Sequence, residues 1–177
     1  MSRKSTNARI IFSLNSKEFQ DEMHAATQKI REIDSAFSLA KSEAKAFGKE
    51  SDVTRASIAG LTEKIAAQKE KIALTEKEYQ RLGEVLDDLK KETPKLKATV
   101  DAATEAYEKS KKELGANAEE TQKLKKELDK ATQAYEDNGE NIKKCIDKQS
   151  NMRVATDKSR AALADMQGKV KELNEEL

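Results

Sequence analysis

A seven-residue repeat of apolar side chains runs from Ile58 to Leu177 without a change of phase. Apolar residues alternate at steps of three and four, the spacing of helices that meet along a narrow coiled-coil seam. A strict seven-residue repeat imposes a left-handed supercoil, because an α-helix has 3.6 residues per turn rather than 3.5. The repeat therefore predicts an all-α protein built as a long heptad coiled coil.

We name the two apolar positions of this repeat the a row and the d row. The residues predicted to form an oligomer seam are, on the a row, Ile58, Ile65, Ile72, Tyr79, Leu86, Val100, Tyr107, Leu114, Leu128, Tyr135, Ile142, Leu163 and Val170, and on the d row, Leu61, Leu82, Leu89, Leu96, Leu124, Cys145, Met152, Met166 and Leu173. Polar residues interrupt both rows, among them Thr93, Thr121 and Asn138. Between residues 19 and 177, the large apolar residues that fall outside the rows are Leu39, Val53, Leu74, Val85, Ile146 and Val154.

Charge distinguishes an ordered helix from a disordered chain of similar composition. The 34 basic and 33 acidic residues interleave to a net charge of +1, whereas disordered chains usually carry a large net charge.

A pI near 7.7 gives little electrostatic attraction for nucleic acid. One cysteine and one histidine provide no Cys/His metal cluster, and no apolar run is long enough to span a membrane. We therefore expect a soluble, intracellular chain with no metal, cofactor, nucleic-acid site or membrane segment.

The N-terminal region has its own pattern. Residues 1–7 are polar and predict a mobile tail, and the alternation over residues 8–14 predicts a short strand. Asn15, with Glu18 three residues later, fits the capping box of a first helix over residues 15–47 that stops at Gly48. Ser51 or Asp52 then caps the long heptad region, residues 51–177.

The heptad region has three possible breaks, at residues 93–94, 115–117 and 138–139. Each can be a turn or a weak spot in one helix. Turns of arbitrary length usually shift the phase of a repeat, so the unbroken phase favours one long, locally kinked rod over a folded-back bundle. Such a rod over residues 19–177 would span on the order of 240 Å.

The charged rows beside the seam favour parallel chains. A parallel pair sets Glu92 against Lys97 and Glu120 against Lys125, although Lys148 against Arg153 opposes this order. Ile-rich a positions with Leu-rich d positions favour two strands, and the polar residues on both rows leave a trimer open. We expect a parallel homo-oligomer, either a dimer or a trimer.

The residues that can carry chemistry do not form a catalytic set. Cys145 lies on the d row, far along the chain from His24, and a nucleophile needs its base within hydrogen-bond reach.

The residues LKATVDAATEAYE (96–108) and LKKELDKATQAYE (124–136) are similar at a spacing of 28 residues, which indicates a duplicated helical segment. The expected protein is structural and not an enzyme.

The stretch IFSLNSKEFQDEMHAATQKIREIDSAFSLAKSEAKAFGKESD, followed by LTEKIAAQKEKIAL, resembles the N-terminal region of tail tape measure proteins of long-tailed bacteriophages and prophages. The resemblance covers about residues 8–90. Its recognisable parts are Leu14-Asn15-Ser16, Phe19, Phe37 to Phe47, Gly48, and the restart at Leu61 to Ile65 with Gln68-Lys69. Proteins of this family are usually much longer, so we expect this chain to be a fragment of one.

The resemblance implies a structural ruler of tail assembly. Several copies would lie in the lumen of the tail tube, in contact with the tail tube protein and a tail assembly chaperone. Their length would set the tail length, and they would leave before the DNA. The implied locations are the virion tail lumen and, during assembly, the host cytoplasm. The alternative is a cellular coiled-coil spacer or adaptor, such as an antiparallel helical hairpin.

Overall fold

The computed structural model describes residues 16–177, and this part of the chain forms three α-helices. Helix α1 spans Lys17–Phe47, α2 spans Glu50–Leu114 and α3 spans Glu119–Glu175. The predicted all-α class is confirmed. The predicted tail (1–7) and strand (8–14) lie outside the described residues.

Helix α1 is capped one residue later than predicted. Ser16, not Asn15, is the N-cap, since its extended backbone places Oγ to accept the backbone N–H of Phe19 at 3.0 Å. At the other end α1 stops at the predicted residue, where the N–H of Gly48 bonds the carbonyl oxygen of Ala44 at 2.9 Å.

Helix α2 begins one residue earlier than predicted. Asp52 is not the cap. It lies in the first turn, and its carboxylate accepts the backbone N–H of Lys49 at 2.8 Å, as the third residue of a capping box does. The helix that begins at Glu50 then continues for 65 residues, with Pro94 inside it.

The chain is interrupted at residues 115–118, between α2 and α3. Gly115 has φ +85°, a left-handed conformation that glycine adopts without steric cost. Its N–H bonds the carbonyl oxygen of Lys111, and the carbonyl oxygen of Gly115 accepts from Ala118. Residues 93–94 and 138–139, the other possible breaks in the heptad region, lie inside helices.

The expected continuous rod is wrong for residues 81–149, where α2 and α3 pack antiparallel. The hydroxyls of Ser110 and Thr121 lie 2.8 Å apart. Further from the turn, Cys145 Sγ donates to the carbonyl oxygen of Leu82 at 3.1 Å. These residues form one compact unit, and residues 16–80 with 150–177 form another.

In the second unit, α1 packs antiparallel on the first half of α2. Lys64 forms an ion pair with Asp34, and Lys29 Nζ lies 2.8 Å from Glu70 Oε2. Gly60 is buried under the ring of Phe37, so close that an added Cβ would lie 2.7 Å from Phe37 Cγ. The small residue allows the two helices to approach closely.

The α1-facing side of α2 has a repeat of its own. Its residues recur at steps of three and four, as the a and d rows do, but many of them are small or polar. All are buried or half-buried: Val53, Ser57, Gly60, Lys64, Ala67, Lys71, Leu74 and Glu78. This second repeat explains why Val53 and Leu74 fall outside the main rows.

None of the helices between residues 16 and 177 is both long and apolar enough to cross a membrane.

Candidate functional site

The contact between α2 and α3 in residues 81–149 has the most specific geometry among the described residues, and it is polar at several levels. Nearest the turn, Ser110 and Thr121 form a hydroxyl pair whose side chains are almost wholly buried. Either hydroxyl can be the donor. Because a buried hydroxyl without a partner destabilises a fold, this pair holds one residue of each helix opposite the other.

The next polar level surrounds Pro94. Proline has no N–H, so the helical hydrogen bond to the carbonyl of Lys90 is missing. One residue before the proline, Thr93 Oγ1 donates to the carbonyl oxygen of Leu89 at 3.0 Å. Asn138 Nδ2 donates to the same carbonyl at 3.1 Å and to Thr93 Oγ1 at 2.9 Å. Side chains from both helices therefore reinforce the backbone next to the proline.

Asn138 is buried, but its hydrogen bonding is incomplete. Its Oδ1 atom is inaccessible to solvent and has no hydrogen-bond partner among the described residues. A buried amide oxygen left without a donor reduces stability by about 1–3 kcal/mol. The residue thus fixes the alignment of the helices at some cost in stability.

The third level places the thiol of Cys145 beside Leu82. Leu82 and Cys145 are both 0% exposed, and Leu89 is 1% exposed. Cys145 Sγ, fully buried, donates to the carbonyl oxygen of Leu82 at 3.1 Å. This is the environment of a structural cysteine rather than that of an activated nucleophile.

The second unit contains an open groove of about 510 Å³ between α2 and α3. Its lining carries opposite charges, and Arg160 pairs with Glu76 across it. Nearby on α3, a hydrogen bond from Lys169 Nζ to Asp165 at 2.8 Å raises the pKa of that lysine. Within residues 16–177, no three His, Cys, Asp or Glu side chains cluster closely enough to bind a metal ion.

The predicted seam residues differ in burial. Five are buried: Ile72, Leu82, Leu86, Leu89 and Cys145. Three are exposed: Tyr79, Leu114 and Tyr135. The others are half-buried: Ile58, Leu61, Ile65, Leu96, Val100, Tyr107, Leu124, Leu128, Ile142, Met152, Leu163, Met166, Val170 and Leu173. The contacts seen for Leu82, Leu89 and Cys145 are made within one chain.

The sequence analysis treated Thr93 and Asn138 as parts of possible breaks and missed the pairing of the polar residues. Thr93, Ser110, Thr121 and Asn138 lie at equal distances on either side of a point between residues 115 and 116. That symmetry is readable in the sequence and could have indicated an antiparallel fold-back.

No family model, curated protein or solved structure matches this chain.

Proposed function

We propose that this chain is the N-terminal helical region of a tail tape measure protein, a structural ruler and scaffold in phage tail assembly. Several copies would lie in the lumen of the tail tube and set the tail length, and they would be released before DNA ejection. During assembly the chain would be in the host cytoplasm.

The observation that carries this proposal is the uninterrupted helix of 65 residues from Glu50 to Leu114. An α-helix rises 1.5 Å per residue, so α2 alone is about 98 Å long. A ruler requires a fixed length for each residue. A helix that continues through Pro94, where Thr93 Oγ1 donates to the Leu89 carbonyl oxygen of the same helix, meets that requirement.

The positions that carry the family resemblance also support the proposal. Ser16 caps α1, and Phe19, the first apolar anchor of the helix, is half-buried. The segment Phe37 to Phe47 completes α1, and Gly48 ends it. The second helix then restarts within three residues. These residues, which carry the resemblance, therefore lie at or near the ends of the helices.

In a tail, we expect the a and d rows to form a long heptad coiled coil between parallel copies, as a dimer or a trimer. The chain would then lie extended, and residues 115–118 would join α2 and α3 in one helix. The tail tube protein and a tail assembly chaperone are the proposed partners. The ruler role involves no catalytic step.

Tail length in the phage that encodes this chain tests the role. An in-frame deletion of residues 96–123 removes 28 residues, four heptads, and keeps the phase of the repeat. We expect tails shorter by about 42 Å in electron micrographs. Duplication of the same segment is the matched variant, and it should lengthen tails by about the same amount. Tails of unchanged length in both variants would contradict the ruler.

One observation favours a second candidate, a helical hairpin that serves as an adaptor. The Ser110–Thr121 pair closes α2 and α3 into an antiparallel hairpin, and Leu114 at its tip is 54% exposed. An adaptor of this kind would bind a partner at the tip. It would be absent from purified virions, whereas a ruler would be found in assembled, DNA-filled particles by mass spectrometry.

A further inference from the structure

Two pairs of side chains in the hairpin of residues 81–149 are symmetric about one centre. Ser110 contacts Thr121, and Thr93 contacts Asn138. The midpoint of both pairs falls between residues 115 and 116. Each pair joins an a position to a d position, so the repeat has the same pattern when it is read backwards from the centre.

The next pair in this series is not made inside the hairpin. Continuing the pattern towards the centre places Leu114 opposite Asn117. Leu114 is the last residue of α2 and Asn117 lies in the turn, and both residues are exposed. Leu114 is 54% exposed although it lies on the a row. In the closed hairpin, therefore, the two side chains are not buried against each other.

The turn itself contains residues that suit a helix. Ala116 and Ala118 have the highest helix propensity of any residue type. Gly115 is the only residue of the turn with positive φ, since every non-glycine residue from 16 to 177 has negative φ. A Cβ at Gly115 would meet no atom within 4 Å, so the glycine serves the turn conformation and not a packing contact.

We propose that residues 115–118 form a hinge whose opening converts α2 and α3 into one helix, and that a second copy of this chain then pairs with it antiparallel. In this swapped dimer, α2 of each copy contacts α3 of the other. The Ser110–Thr121 and Thr93–Asn138 contacts form twice, once at each end. Leu114 of each copy becomes buried opposite the partner's Asn117, a contact that the closed hairpin lacks.

The antiparallel orientation follows from the hydrogen bonds. In a parallel, in-register pair, Asn138 would face its own equivalent and lose the Leu89 carbonyl and the Thr93 hydroxyl as acceptors. In the antiparallel pair it keeps both. Exchange of identical elements between copies is a low-cost route to a dimer, because it reuses contacts that the monomer already makes. This antiparallel dimer is a state of the free protein, and it does not depend on the parallel coiled coil proposed for the tail.

The substitution Gly115→Ala tests the hinge in the full chain. Alanine disfavours the positive φ that the turn needs and favours a continuous helix. We expect the dimer dissociation constant, measured by light scattering over a range of concentrations, to fall by about tenfold or more. The matched control is Gly139→Ala, inside α3, where an added Cβ also meets nothing within 4 Å. It should leave the dissociation constant unchanged, because residue 139 is helical in both forms.

Cross-linking identifies the orientation. With Cys145→Ser present, the pair Ser110→Cys and Thr121→Cys should give an internal disulfide in the closed hairpin. When Gly115→Ala is added to this variant, the disulfide should form between two copies instead, which gives a covalent dimer on a non-reducing gel. Ser110→Cys without Thr121→Cys should give no dimer, since equivalent residues lie far apart in an antiparallel pair.

Three results would overturn the proposal. One is a Gly115→Ala protein that remains helical by circular dichroism and shows the same dissociation constant as the Gly139→Ala control. Another is efficient cross-linking by Ser110→Cys alone, which requires parallel, in-register copies. A Gly115→Ala protein that loses helicity would also count against the hinge, because it would show that residues 115–118 do not accept a helix.

Discussion

The side-chain amide of Asn138 on α3 donates a hydrogen bond to the backbone carbonyl of Leu89 on α2, at 3.1 Å. The same amide nitrogen reaches Thr93 Oγ1 at 2.9 Å. A shift of one heptad between the helices would take the Leu89 carbonyl and the Thr93 hydroxyl out of reach of Asn138. The bond therefore selects one alignment of α2 with α3, as buried asparagines do in other helical assemblies.

Asn138→Leu should raise stability and weaken that selection. The change removes Oδ1, which is buried without a partner among the described residues, and Thr93 Oγ1 keeps its bond to Leu89. We expect the free energy of unfolding, from urea titration, to rise by about 1 kcal/mol. We also expect a second register to appear in cross-linking or distance measurements.

Asn138→Asp is the matched comparison, nearly equal in size. It places a carboxyl group where the Leu89 carbonyl accepts a hydrogen bond. Burial should raise the pKa of the introduced carboxyl above its unfolded value, so stability should be higher at low pH and fall as pH rises through the folded pKa. A loss of stability in Asn138→Leu as large as that in Asn138→Asp at pH 7 would contradict this description of the site.

Gly60→Ala should destabilise the contact between α1 and α2. The added Cβ would lie 2.7 Å from Phe37 Cγ and 2.9 Å from Phe37 Cβ, so the helices must separate. We expect a loss of about 1–3 kcal/mol in urea unfolding followed by circular dichroism. The control is Gly168→Ala on α3, where the added Cβ meets nothing within 4 Å. It should gain about 0.5–1 kcal/mol from helix propensity. Changes of the same sign in both variants would mean that Gly60 is not in close contact with Phe37.

Cys145 should stay reduced under mild oxidation of the free protein. Its side chain is 0% exposed, and Sγ donates to the Leu82 carbonyl of the same chain. The expected result is no covalent dimer on a non-reducing gel, and slow labelling by a thiol reagent until urea is added. Lys143→Cys with Cys145→Ser moves the thiol to an exposed position two residues away and should label at once.

A rapid Cys145-dependent dimer would mean that equivalent residues face each other. That is the arrangement of a parallel, in-register oligomer, in which the Cα atoms can come within the roughly 4.4–6.8 Å that a disulfide needs.

The sequence predicted the helical class and the end of α1 because both depend on local chemistry. Apolar spacing defines a helix face, and Gly48 follows the last residue of α1. The cap of α1 was misplaced by one residue, since Ser16 and Asn15 are both good capping residues and pattern alone does not choose between them.

A turn at residues 115–117 was one of the possible breaks, but a continuous rod was favoured over a fold-back there for a physical reason. An unbroken phase was interpreted as an unbroken rod, but a repeat that is symmetric about its turn keeps its phase in an antiparallel hairpin as well. The second face of α2 was missed because Ser57, Gly60 and Ala67 contribute little apolar surface. They are buried because they are small enough for α1 to approach.

The most direct test of the antiparallel pairing is a distance between spin labels at two exposed positions, Asp101→Cys on α2 and Lys130→Cys on α3, with Cys145→Ser. The doubly labelled protein is diluted into an excess of unlabelled protein, so that only distances within one chain are measured. Packed helices lie about 8–10 Å apart, so the hairpin predicts a label separation on the order of 20 Å. A continuous helix would instead place the two positions about 44 Å apart, and a distribution centred there would contradict the account.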